Sequence, residues 1–190
     1  MTQYMADRSW LIESLEAYHS AYPAEDVFRA QFLVLLKHPR AFFRDHLPGH
    51  MTASSWIIGD KGKFALLTHH AKLDRWLQPG GHADGDENIL AVARKEAREE
   101  TGLATLELLN PQIFDIDIHP IPARSDFPRH FHYDIRFLFR ANMNESFTVT
   151  AESKNLAWIP VEDLASRTGA NVSIMRMAEK VKALLGADQQ

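Results

Sequence analysis

Apolar positions along the chain recur with two periods, and each change of period marks an element. Residues 1–50 read as helical. Trp10, Leu11, Leu15 and Tyr18 share one side of a first helix that Ser9 can cap. Pro23 opens a second helix carrying Val27, Phe28, Phe32, Val34, Leu35 and Leu36, and Pro39 ends it. Residues 41–46 make a short third turn before Pro48 and Gly49. From Thr52 the pattern becomes that of strands. Residues 52–58 and 63–68 are expected to form a hairpin through Gly59-Asp60-Lys61-Gly62. His69 and His70 follow that hairpin, and adjacent histidines on extended chain face opposite ways. Trp76-Leu77 reads as a short strand leading to a glycine turn at Pro79-Gly80-Gly81, where the backbone can approach a ligand closely.

Helical period returns after that turn. Ile89, Val92, Ala93 and Ala97 make one apolar stripe. Strands are then expected at 106–109, 112–121, 131–140, 147–150 and 156–159, with helices at 161–167 and from Asn171 or Ser173 onward. The last residues, 186–190, are expected to fray. In the strand at 112–121, Phe114, Ile116 and Ile118 face the core, while Asp115, Asp117 and His119 take the opposite face. In the strand at 131–140, Phe131, Tyr133, Ile135, Phe137 and Phe139 alternate with a polar row, His130, His132 and Asp134. That row has three readings: a solvated strand face, contacts to phosphate or ribose, or a separate metal site. His119 joins it if the two strands pair side by side. A proline-flanked loop with Arg124-Ser125-Asp126 at its tip forms a natural pocket lip.

The chemistry concentrates on the helix after the glycines. At about 100° per residue, Glu96 and Glu100 fall on the side of Ile89 and Ala93, Glu99 lies on its shoulder, and Arg94 and Arg98 point away. Inward carboxylates repel one another and lose hydration unless paired or metal-bound. A divalent cation such as magnesium or manganese answers that need, and such ions complete their shell with substrate phosphates. A solvated, salt-bridged face is the other reading.

Composition narrows the field. The chain has 190 residues, enough for one domain with an extension: 1–50 as a helical extension and 51–190 as the main domain. Formal net charge is −4, which argues against a general nucleic-acid or membrane binder. The chain has no cysteine, so disulfides, thiol nucleophiles and zinc–thiolate sites are excluded. With neither a basic-then-apolar leader pattern nor a long apolar run, the cytoplasm is the expected location.

The stretch GHADGDENILAVARKEAREETGL, residues 81–103, resembles the Nudix box, G-x5-E-x7-R-E-U-x-E-E-x-G-U with U aliphatic. Gly81, Glu87, Glu96, Ala97, Glu99, Glu100, Gly102 and Leu103 fit the pattern. Lys95 stands where the family has arginine. It keeps the charge and lies four residues before Glu99, but it lacks the planar fork that fixes a carboxylate's orientation.

The resemblance implies an α/β fold, an α/β/α sandwich on a mixed sheet. It implies a Mg2+- or Mn2+-dependent pyrophosphohydrolase acting on a nucleoside diphosphate linked to another moiety. Gly81 (through its carbonyl), Glu96, Glu99 and Glu100 would hold the metal. Glu99, or Glu152 just upstream of the 156–159 strand, would serve as general base. His119, His130, His132 and Asp134 are candidate substrate contacts, with Trp76 and the Arg124 loop lining the pocket. Glu87 would steady the start of the helix. Two rivals stand beside this. A nucleotide-binding sensor of the same fold would bind without turnover, with Lys95 as its sequence support. An isoprenoid diphosphate isomerase shares the fold but needs a cysteine. Pro120 gives a weak hint of ADP-ribose. A homodimer is common among related folds and stays open.

Overall fold

The computed structural model describes residues 7–151 and 153–187. In chain order the elements are α1 (Arg8–Glu16), α2 (Pro23–Leu35), β1 (Gly49–Gly59), β2 (Phe64–His70), β3 (Arg75–Leu77), β4 (Gly80–His82), α3 (Ile89–Thr101), β5 (Glu107–Leu108), β6 (Asp115–Ile121), β7 (His130–Arg140), β8 (Ser153–Pro160), α4 (Leu164–Thr168) and α5 (Val172–Ala187). The class is α/β, a mixed sheet with helices, as expected. The chain forms two compact units, and β1, β4, α3 and β7 each contribute residues to both. No helix among the described residues is long and apolar enough to cross a membrane.

The first unit comprises Met1–Ser54, Gly81–Ala93 and Pro111–Phe137. Its helices pack on the strand pair β6–β7. Leu11 and Leu15 of α1 are buried, and Trp10 stacks on Phe137 with ring centroids 6.3 Å apart. Phe32 of α2 meets the edge of Tyr133 at 5.2 Å. Burying an aromatic of this size stabilises by about 1.5–3 kcal/mol. Glu25, in the first turn of α2, is wholly buried; it accepts from Tyr18 Oη at 3.1 Å and from the backbone N–H of Ile116 at 3.3 Å. The N-terminal helices thus meet β6 by a polar contact and β7 by apolar ones.

The second unit comprises Ser55–Gly80, Arg94–Asn110 and Leu138–Gln190. The expected β1–β2 hairpin forms, pairing Gly59 with Phe64. Lys61 sits at φ 53° in its turn. β8 runs along β2 from Phe64↔Pro160 to His70↔Ser153, and β3 pairs with β2 at His69↔Trp76. β5 pairs with the end of β7. Gly102 ends α3 at φ 74°, and a Cβ there would lie 2.5 Å from Thr148 Oγ1. Glycine therefore answers both a left-handed backbone and a close approach.

Several expectations change. The cap of α1 is Asp7, whose carboxylate accepts from the Trp10 N–H at 3.0 Å, and Ser9 lies inside the helix. α2 stops at Leu35, before Pro39. Residues 41–46 keep the expected turn, hydrogen-bonded and without helix. His69 and His70 lie within β2, because β3 and β8 provide partners that prolong it. The glycine turn is a short strand, β4, and its successor Ala83 donates to the Met51 carbonyl at 3.3 Å. Residues 147–150 are not a strand; Thr148 N–H instead caps the Thr101 carbonyl at 2.9 Å. Asn171 caps α5, accepting from Ser173 and Ile174 N–H at 3.0 and 3.2 Å. Residues 188–190, part of the tail expected to fray, lie outside the described residues.

Candidate active site and a polar strand face

In α3, Ile89, Leu90, Val92, Ala93, Ala97 and Thr101 are buried, so the apolar stripe is where the period placed it. Glu96 stands at the edge of that stripe with its side chain 17% exposed, while Glu99 is 59% exposed. Glu100 is half-buried and accepts from the Gly80 N–H at 3.2 Å, which ties the helix to the glycine just before Gly81. Lys95 Nζ lies 3.3 Å from Glu96 Oε1 and 3.6 Å from Glu99 Oε2. Its hydrogen bond and charge contact with Glu96, reinforced by Glu99, raise the lysine pKa above its usual value. The four-residue spacing predicted the contact to Glu99; the second contact, to Glu96, was not foreseen. Arg94 also departs from expectation: its guanidinium lies over the Phe139 ring, 5.6 Å from the centroid, instead of pointing to solvent.

A different polar surface forms on β1, β6 and β7 within the first unit. The β6–β7 register, hidden in the sequence, sets His119 opposite His132, Asp117 opposite Asp134 and Asp115 opposite Arg136. Period two therefore stacks the polar residues of both strands on one face. Thr52 and Ser54 of β1 reach the same face and donate to Asp134 Oδ1 at 3.1 and 2.8 Å.

Arg136 is sealed among carboxylates: Asp134 at 2.7 Å, Asp115 at 3.0 Å and Asp117 at 3.2 Å. Burial alone would lower its pKa, but the charges of Asp117, Asp134 and Asp115 outweigh that and raise it. Asp134 is 1% exposed and committed to Arg136, Thr52 and Ser54. The solvated or substrate-facing row expected from the pattern is therefore, at Asp134, part of an internal ion network. Arg136 shares the phase of His130, His132 and Asp134 along β7, and that was the signal for it in the sequence.

Further along the same face lie histidines. His130 is buried and His132 half-buried, and His50 of β1 joins them. Ring centroids of His50 are 5.1 Å from both His130 and His132, and 5.2 Å from His82. His119 lies 5.4 Å from His132 and 3.3 Å, through Nδ1, from Asp117 Oδ2. His50 was missed because the expected strand began at Thr52, although His50, Thr52 and Ser54 alternate in phase. His82, directly after the paired glycines, gave no pattern of its own.

Among the remaining candidates, Glu87 is held by Arg8 of α1, with Nη2 and Nε at 2.6 and 3.0 Å from Oε1. Arg8 also donates to the carbonyls of Leu36, His38 and Pro39, so it links α1 to the turn after α2 and, through Glu87, to the loop before α3. Trp76 is stacked on His69 at 4.9 Å and lies under Arg167 at 5.7 Å. It lines a cavity of about 330 Å³ with Arg75, Leu77, Thr168, Gly169 and Asn171. The Arg124 tip is exposed, closed by the Arg124 N–H to the Phe127 carbonyl at 2.8 Å. Glu152, the alternative general base, lies outside the described residues.

An α/β mixed sheet, a glycine bonded to a helix carboxylate, and three glutamates on that helix are the marks of one class. The NUDIX domain model matches residues 48–178, and the chain belongs to the NUDIX family. It is a hydrolase of that family. Phosphatase NudJ of Escherichia coli K12 is 26% identical over 138 residues, spanning 70% of this chain and 81% of NudJ. A NUDIX-family hydrolase from Clostridium perfringens is similar in structure, with a TM-score of 0.54, 27% identity and coverage of 71% of this chain and 97% of its own. The Ap4A hydrolase of C. elegans superposes with a TM-score of 0.58 at 20% identity, covering 72% of this chain and 98% of its own, a likeness of fold.

Proposed function

We propose that the chain is a Mg2+- or Mn2+-dependent pyrophosphohydrolase that cleaves the diphosphate of a nucleoside diphosphate linked to another moiety. The observation that carries this reading is the set of three glutamates on α3, with Lys95 within 3.3 and 3.6 Å of two of them. Oxygen donors of this kind suit a hard divalent ion, and Glu96 is too enclosed for an ordinary solvated carboxylate. Glu96, Glu99, Glu100 and the Gly81 carbonyl are the proposed ligands. When bound, the ion would neutralise the diphosphate and lower the pKa of a water.

The chain's own groups do the rest. The Gly80 N–H fixes one oxygen of Glu100, leaving the carboxylate with a set orientation. Lys95 restrains Glu96 and Glu99 and offsets their mutual repulsion. Glu99, the more exposed of the two, or Glu152, takes the water's proton. Of the four residues the pattern offered as substrate contacts, His119 has the exposure for a ligand, with its side chain 39% accessible, whereas Asp134 is sealed in the ion network. The dinucleoside polyphosphate named for the C. elegans hydrolase belongs in the substrate panel together with nucleoside triphosphates, ADP-ribose, NADH and nucleotide sugars.

The test is phosphate-product release across that panel with Mg2+ or Mn2+, beside Glu100→Gln. Turnover lost in the variant supports the reading and names the substrate class. Silence across the panel, with a nucleotide still raising the melting temperature, transfers it to the sensor.

A further inference from the structure

We propose that His50, His130 and His132 form a binding site for one transition-metal ion of the zinc type, with His82 placed to supply a fourth nitrogen. One ligand nitrogen from each of the three lies within 4.8 Å of the other two. The His82 ring centroid is 4.9 Å from His132 and 5.2 Å from His50.

Hydrogen bonding sets the tautomers. His130 Nδ1 faces the Pro128 carbonyl at 2.9 Å, and His50 Nδ1 faces the His46 carbonyl at 3.4 Å. A carbonyl only accepts, so Nδ1 carries the proton in each ring and Nε2 keeps its lone pair. Backbone carbonyls behind the imidazoles are the usual support of metal-binding histidines. On the other side, His50 Nε2 and His132 Nε2 are buried without a hydrogen-bond partner among the described residues. Buried ring nitrogens are rarely left so, and a bound ion is one recognised explanation.

Neutral imidazoles are poor phosphate partners but good ligands for zinc, nickel, cobalt or copper. Magnesium prefers oxygen, so this ion would differ in kind from the one proposed for the glutamates, and no ligand is shared. Zinc–nitrogen bonds of about 2.0–2.1 Å put neighbouring nitrogens about 3.3–3.4 Å apart, so binding draws the rings together. The ion would clamp β1 to β7 and is independent of whether the chain is catalytic.

The experiment titrates chelator-treated, full-length protein with Zn2+ and Co2+, comparing wild type, Glu96→Gln/Glu100→Gln and His132→Gln. One Zn2+ per chain is expected, with Kd of about 1 μM or tighter. It should persist in the glutamate variant and raise the melting temperature of both proteins. His132→Gln should lose that rise and weaken binding at least tenfold. X-ray absorption on zinc-loaded wild type, which needs no variant, should show three or four imidazole nitrogens. An oxygen-only shell, binding abolished by the glutamate variant, or no stoichiometric zinc would each overturn the proposal.

Discussion

Two clusters in this protein each gather three carboxylates beside a cationic side chain, and they hold them in different ways. Around Arg136, Asp115, Asp117 and Asp134 are sealed from water, and a rigid fork contacts all three at 2.7–3.2 Å. On α3, Glu96, Glu99 and Glu100 lie at graded depth, and Lys95 contacts two of them at 3.3 and 3.6 Å. A guanidinium with several donors satisfies carboxylates in fixed directions and makes a structural core. A flexible ammonium at the surface restrains charge loosely. The number of acids is the same; depth and the identity of the cation set the sealed network apart from the glutamates proposed to hold a metal.

The comparison can be broken most severely at Arg136. Arg136→Met should destabilise the fold by roughly 3–5 kcal/mol, because the carboxylates lose their buried partner. Urea unfolding measures this, and a wild-type midpoint would mean the network is not structural. At the other cluster, Glu96→Gln or Glu100→Gln should lower kcat by at least about 100-fold, as expected when a metal-site residue is lost. The melting temperature should stay within a few degrees. Equal losses of stability at both clusters would erase the distinction.

Acid titration sharpens the contrast at the histidines between them in character. His50, His82 and His132 have depressed pKa values, near 4, 4 and 2, against 6.5 for unfolded histidine. Above pH 6.5 both states are neutral and the stability is intact. As pH falls through 6.5 toward 4 the unfolded chain takes up protons that the folded chain refuses, so stability declines. His132→Gln should make the melting temperature less steep over that window.

The smallest effect is expected at Lys95. Its exposed pairs contribute about 0.5 kcal/mol or less, so Lys95→Met should barely move the unfolding midpoint. Any fall in kcat beyond a few-fold then reports its hold on Glu96 and Glu99. Lys95→Arg should retain or raise activity by restoring the planar fork.

The sequence by itself determined what is local. Glycine and glutamate spacing placed Glu96, Glu99 and Glu100 on one helix, because a helix turns by a fixed angle per residue. Alternation separated the two faces of β6 and β7, because a strand reverses at every residue. The pattern glycine Gly102 proves to end α3, since a left-handed residue there favours glycine. Tertiary structure decided what depends on which strand lies beside which. Only the register His119↔His132 and Asp115↔Arg136 turned a polar row into an ion network and a histidine cluster. It also placed His50 and His82, far from that row in sequence, beside His132. Period-two patterns fix a side chain's face but carry no record of its neighbours, because pairing is chosen by the burial of the whole sheet.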